Sequence, residues 1–514
     1  MNSGLPIDCL PGIFRWIDDD YTTLYNASLV SRGWSLVGVS HLYRDPWSLV
    51  PHDITCDQES KLRIAMLLRT HLSCADPNVF NTEERLRISK IDAICIPPVD
   101  YLTKVYLFLQ RLMVQISTIS NEHTDQSKKS IATYSDSSYD EHKPLYPYLS
   151  LARAVNLVKL QESLRFVNAN PNPLWCYDYT MEEALVDQKI TQQLWSVFRN
   201  RNLNTIRKFV WKGIIPLEDI FLGKISLSGL RELELRWKYD PTGSPCTQDI
   251  NFKTLFQSTR NLRRLRLHLD PWVEKIDDND IADLISMQEP GSLKSLHIEG
   301  AHKPLTKTID ALLTHHQHSL RELHIVDYIP SNSGLEKIGQ FSSLKSLKFH
   351  DCFNLNDREF FAILQACKNL RELHLRKLPN VSSLAVRKII EIAGSNLRKL
   401  VISQIGVEVL DVEAVHSLVR YAKNLKHLDI QKMTFPPAEM CQFIENTPQL
   451  EYVALGEPIG NTPTSGDLII QSVMGNCPRL KYLNASELMI TGKSLKDLTE
   501  HPTLKNIALP VFVS

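Results

Sequence analysis

Arg266, His297, His324, Lys348 and His374 occupy the same place in five successive short segments of this sequence: RLRL, SLHI, ELHI, SLKF and ELHL. A row of guanidinium, imidazole and ammonium groups donates charge-assisted hydrogen bonds to carboxylates or phosphates. Arg264, His268, His350 and Arg376 flank the row and add to it, whereas Glu232, Glu299, Glu322 and Glu372 subtract from it. Two readings follow, a docking strip for an acidic or phosphorylated protein signal and a self-neutralised polar surface with Glu beside His. Further along, the equivalent positions hold His427, Tyr452, Ala454, Tyr482, Asn484, Asn506 and Ala508. Tyrosines among small residues make a recognition pocket, unless the chain's own tail, LPVFVS, covers them.

Other chemistry finds little to stand on. His315, His316 and His318 in THHQHS lack the carboxylate or cysteine partners and the spacing of a zinc site. The sequence contains no Gly-rich phosphate loop, no H-E-x-x-H, no nucleophile elbow and no paired CxxC. The expectation is no catalytic centre, no metal and no cofactor.

The elements that present these side chains come from a repeat. The pattern L-x-x-L-x-L begins at Ile206, Leu230, Leu262, Leu293, Leu320, Leu344, Leu370, Leu397, Leu425, Leu450, Leu480 and Leu504, twelve copies at intervals of 24 to 32 residues. A fragment of it stands at Leu157 and Leu160. Alternation in x-x-L-x-L predicts a short strand with Leu inward and the third, fifth and seventh positions outward. Between strands, helical spacing appears, as at Phe360, Phe361, Leu364 and Ala366. No unit buries its apolar edge alone, but stacked units share a core. The expected fold is α/β: a curved solenoid with a parallel sheet on its concave face and helices on the convex one. The second repeat position is Arg or Lys in eleven of the twelve copies, Glu451 being the exception. This reads as snorkelling over the core rather than a nucleic-acid stripe.

The array resembles a leucine-rich-repeat domain. SLKSLKFHDCFNLNDREFFAILQACKNLRELHL is similar to the cysteine-containing repeat of F-box proteins, with Cys352 at the turn and Cys367 ahead of the next strand, and Cys477 in GNCPRLKYL repeats its second half. Tyr328, Leu378, Ile405 and Met433 replace Cys352 in other copies. At the N-terminus, Leu10, Ile13, Phe14 and Ile17 line one helical face behind Asp8, and a second apolar cluster holds Leu29, Val30 and Trp34. So small a segment cannot bury these side chains within itself. Leu5-Pro6, Ile13-Phe14, Ser28-Leu29-Val30, Arg32, Trp34, Leu42-Tyr43 and Pro46-Trp47 resemble an F-box, with Pro11-Gly12 departing from its helix-favouring pattern. The resemblance implies an adaptor-binding surface of Leu5, Pro6, Leu10, Ile13, Phe14, Ile17, Leu29 and Val30. Its partners would be a Skp-family adaptor, a cullin through it, and a protein substrate on Arg266, His297, His324, Lys348, His374, His427, Tyr452 and Tyr482. The alternative is a helical cap on the first repeat, within an interaction scaffold that does not ubiquitinate.

The expected organisation is an F-box over 1–48, a helical linker and candidate first repeat over 49–118, a disordered Ser- and Asp-rich insertion over 119–144, degenerate repeats over 145–202 and the main array over 203–514. Lys plus Arg equals Asp plus Glu at 58 each, so no global field recruits nucleic acid or an anionic membrane. No secretory leader or membrane-length apolar run is recognisable. Ten cysteines without CxxC pairing suit a reducing cytoplasm or nucleus.

Overall fold

The structure is a computed structural model. It describes residues 154–168, 189–191, 206–212, 227–237, 259–269 and 276–509, apart from 302–303, 329–333, 365–366, 407 and 500, together with the buried helical residues Leu68 and Glu84. The segment 1–48 that resembles an F-box, with the eight adaptor-binding candidates, the stretch 119–144 expected to be a disordered insertion, and most of the expected linker and early repeats lie outside the described residues. The chain divides into two compact units, Met1–Leu230 and Arg231–Ser514.

In the first unit, β1 (Ala154–Asn156) pairs in parallel with β2 (Lys208–Lys212), Val155 opposite Phe209. The helix Leu157–Asn168 follows β1 directly. Leu157 and Leu160, expected in a strand fragment, therefore lie on this helix. Spacing of three suits a helix as well as L-x-x-L, and Leu157, Leu160 and Leu164, at i, i+3 and i+7, are all buried.

In the second unit the repeat becomes a parallel sheet. Its strands are β3 (Glu232–Arg236), β4 (Arg264–His268), β5 (Ser295–Glu299), β6 (Glu322–Val326), β7 (Ser346–His350), β8 (Glu372–Leu378), β9 (Lys399–Ile405) and β10 (His427–Asp429). β11 (Thr434–Phe435) and β13 (Glu457–Pro458) form a separate parallel pair. The main sheet continues through β12 (Tyr452–Ala454), β14 (Tyr482–Asn484) and β15 (Asn506–Ala508), in sequence order and without slips. Register is enforced by the core: Leu265, Leu296, Leu323, Leu347, Leu373 and Leu400 pair across neighbouring strands, and all are fully buried. Each contributes roughly 1.5–3 kcal/mol on burial. A slip of one residue would turn this column outward.

Helices return the chain between strands, among them Asp278–Ser286, Thr306–His316, Asp357–Leu364, Ser383–Ala393, Val412–Tyr421, Pro437–Glu445 and Pro463–Asn476. Several begin on capping side chains, with full capping boxes at Asp277 and Thr462. On Asp357–Leu364 the inward residues are Phe360 and Ile363, while Phe361 is only half-buried. Phe360 and Ile363 form an i, i+3 pair, and Phe361 stands beside it.

One device recurs at or near the strand end in six of the twelve repeats. Gly300, Asp327, Asp351, Lys377, Gln404 and Lys432 occupy the same repeat position at φ between 50° and 77°, and the next residue turns into the core. Ala301, Tyr328, Cys352, Leu378, Ile405 and Met433 are all buried there. Cys352 fills this site as a packing residue, its Sγ 3.4 Å from the His350 carbonyl. Burial pushes the thiols of Cys352 and Cys477 up to about 12, so neither is a reactive thiolate.

Candidate functional site

Because inward residues alternate with outward ones, the sheet of the second unit presents an open face of three columns. The central one runs Glu234, Arg266, His297, His324, Lys348, His374, Val401, Asp429, Ala454 and Asn484, each aligned with the next. Arg266, His297, His324, Lys348 and His374 are therefore neighbours on consecutive strands. His427, Tyr452 and Tyr482 are also aligned with one another, but in the adjacent column, after Lys399. Glu234, Val401 and Asp429 were not among the sequence candidates, although the same fifth-position count points to them.

Burial decides the charge of the row. His297, His324 and His374 are half-buried among neighbouring side chains and lie beside cations. Burial, reinforced by His268 or Lys348, lowers them to about 4, 3 and 2 respectively. At neutral pH they are neutral imidazoles. The imidazole ridge is thus cationic only through the lysines and arginines set along it. Lys348 is itself pushed down by burial, against the pull of Glu372 and Glu322. Nε2 of His297 and Nε2 of His374 are buried without a hydrogen-bond partner. With His324, Lys348, His350 and Arg376 they line a cleft of about 190 Å³.

His268 behaves oppositely. Burial works against its charge, but its contacts with Glu234 and Glu299 outweigh that and raise it above the ordinary histidine value. Its Nδ1 lies 2.6 Å from Glu299 Oε2, and its Nε2 lies 3.5 Å from Glu234 Oε1. Burial would raise Glu234, yet contacts with His268 and Arg236 hold it down at about 2. The β3–β5 end of the face is accordingly a neutralised ion cluster. Further along, Arg376 reaches across β9, past the Val401 and Ser403 positions, to Asp429 Oδ2 at 2.6 Å.

Beyond β9 the face becomes aromatic. His427 stacks on Tyr452 with ring centroids 3.8 Å apart, and Tyr452 on Tyr482 at 4.3 Å, the rings being parallel within 6° and 3°. Strands about 4.8 Å apart impose this stacking on identical register positions. Burial, then Tyr482, pushes Tyr452 up to about 12, so its phenol remains a donor. Burial lowers His427 to about 4. Beside this column stand Ala454, which is fully buried, and Asn484, which is half-buried. Residues 510–514 of the tail lie outside the described residues.

Among the described residues no group of three His, Cys, Asp or Glu side chains is placed to hold a metal ion, and no helix is long and apolar enough to cross a membrane. His316 of THHQHS is buried, with Nε2 against the Ile285 carbonyl at 3.3 Å.

No family model and no curated protein matches the chain. Among solved structures it is similar to Rad7 in the yeast Rad7–Elc1 complex, at 18% identity and a TM-score of 0.40 over 50% of this chain and 65% of that one. An internalin from Listeria monocytogenes shows 12% identity and a TM-score of 0.34, over 60% of this chain and 82% of that one. A Bacteroides fragilis protein shows 17% identity and a TM-score of 0.31, over 54% and 74%. The chain thus spans just under two thirds of the Rad7 chain. The repeat architecture rests on the register and burial of this chain's own residues: a many-stranded parallel sheet with returning helices, the α/β arrangement of a leucine-rich-repeat array.

Proposed function

We propose that this chain is the substrate-recognition subunit of an SCF-type ubiquitin ligase. In this reading residues 5–47 hold a Skp-family adaptor and, through it, a cullin, and the open face of the array holds a protein substrate. The observation that carries the binding half is the open face itself: a register-locked surface with an imidazole–lysine cleft at one part and a stacked His–Tyr–Tyr column at another. The adaptor half is supported by the pattern from Leu5-Pro6 to Pro46-Trp47. The chain forms no covalent intermediate. It raises the effective concentration of a substrate lysine near a ubiquitin-charged enzyme, so its contribution to rate is proximity. It works in the cytoplasm or nucleus.

Co-expression with a Skp-family adaptor and a cullin, followed by size-exclusion chromatography, tests the assignment. Wild type is expected to co-elute with both, and a folded Leu29→Asp, Val30→Asp variant with neither. If well-folded wild type binds no adaptor, the ubiquitin assignment falls and an interaction scaffold remains.

A further inference from the structure

The cations at the second repeat position do not all behave alike. Arg263, Lys294, Arg321, Lys345, Arg371 and Arg398 immediately precede β4 to β9, and each backbone N–H donates to the carbonyl of the one before, at 2.7–2.8 Å. That ladder sets their side chains in one row along the leading edge of the sheet, apart from the outward columns of the open face. Elsewhere some residues at the same position are engaged by neighbours. Lys426 and Lys481 share Glu451, at 2.9 and 2.6 Å, and Arg231 donates to the Asn261 carbonyl at 3.0 Å. Within the row Lys294 donates to the Gly291 carbonyl. Arg321, Lys345, Arg371 and Arg398 have no side-chain partner among the described residues, and all but Lys345, which is half-buried, are exposed.

Arg321, Lys345 and Arg371 border a groove of the array. About 320 Å³ in volume, it is lined by Lys294, Arg321, Lys345 and Arg371 with the hydroxyls and amides of serines and asparagines between them, and no carboxylate lines it. Like charges on adjacent strands repel. The nearest acids in sequence, Glu322 and Glu372, belong to the open face, where Glu372 Oε2 accepts from Ser346 Oγ at 3.4 Å. Snorkelling places the stems of these residues but leaves their charges without a counter-charge.

We infer that this edge groove binds an extended acidic polypeptide segment, with Arg321, Lys345 and Arg371 as its principal anion contacts. The partner's length follows from geometry. The four row residues that line the groove, Lys294 to Arg371, stand on neighbouring strands about 4.8 Å apart and make a row roughly 14 Å long, the span of about four extended residues. A protein segment fits better than nucleic acid. The groove offers no Phe, Tyr or Trp on which bases would stack, and the balanced charge of the chain supplies no long-range field for a duplex. Carboxylate side chains need only the fork of donors that arginine provides.

Fluorescence anisotropy of the full chain with labelled decaglutamate tests this, with labelled decathymidylate as the competing class. Decaglutamate is expected to bind at low salt, to weaken as salt rises, and to weaken about tenfold or more in Arg321→Glu, Lys345→Glu, Arg371→Glu. The corresponding triple Gln variant replaces it should the charge reversal unfold the chain, and is expected to show the same direction of loss. Absence of decaglutamate binding overturns the inference, as does tighter binding of decathymidylate. Loss of binding in Lys348→Gln with none in the edge variants would move the anion to the open face and also overturn it. Because no adaptor takes part, the outcome is independent of the ligase assignment.

Discussion

His374 stands between Lys348 on β7, Arg376 on its own strand and Lys399 on β9, and burial together with these charges, and with His324, holds it at about 2. In the unfolded chain it titrates near 6.5. Between those values the unfolded state binds the extra proton, so the contribution of His374 is complete above about pH 6.5 and is lost as pH falls below it. His297, His324 and His427 act in the same direction. His268, raised by its two glutamates, acts in the opposite one: its contribution is complete below the unfolded value and disappears as pH rises through the folded one. The lowered imidazoles outnumber it. Urea unfolding at pH 7 and pH 5 is therefore expected to show a less stable protein at pH 5, with His374→Gln removing about 1–2 kcal/mol of the difference. An equal pH 5 deficit in wild type and variant would show that His374 is solvated. A second prediction concerns the ion cluster. In Glu234→Gln the His268 imidazole loses a carboxylate partner, and its NMR titration is expected to move down. An unchanged midpoint would assign the raised value to Glu299 alone.

Among the elements, the turn after each strand is the demanding one. Gly300 has φ of 77°, and a Cβ built on it would lie 1.9 Å from the Leu269 carbonyl oxygen. The equivalent Asp327, Asp351, Lys377 and Gln404 carry side chains at φ of 50° to 54°, so the left-handed backbone alone does not require glycine. At Gly300 the close carbonyl does. Gly300→Ala is expected to destabilise by about 1–3 kcal/mol, measured by urea unfolding, and a loss below about 0.5 kcal/mol would mean that the turn relaxes away from Leu269. The elements also explain how the Cys352 site accepts Tyr328, Leu378, Ile405 and Met433. It is a core position held by burial rather than by thiol chemistry, and its occupants range in size from Ala301 to Tyr328.

Over the whole array, stability is shared between neighbours, so it decreases toward an edge. Leu347 and Phe349 on β7 are fully buried, whereas Ile507 on β15 is 40% exposed, with no further repeat covering it among the described residues. The twelfth copy of the motif is thus a strand whose inward residue is half in water. Hydrogen exchange is expected to be fast at the amides of β15, slower at β14 and slowest around β7, by orders of magnitude between the extremes. Uniform protection from β7 to β15 would show that the array unfolds as one cooperative block.

The repeat was legible in the sequence because its cause is local. An L-x-x-L-x-L unit with a helical return buries one edge wherever it stands, so strand position, inward set and the alignment of Arg266, His297, His324, Lys348 and His374 follow from counting. The same counting reached His427, Tyr452 and Tyr482. What counting could not supply was the state of those residues. Neutral imidazoles require burial by neighbours on adjacent strands. The Arg376–Asp429 pair requires a low strand between residues 53 positions apart. The contrast between neutralised and unpartnered cations at one repeat position depends on which acids fold back to meet them. Local pattern determined where the side chains point; only packing of one repeat against the next decided which of them keep a charge to offer.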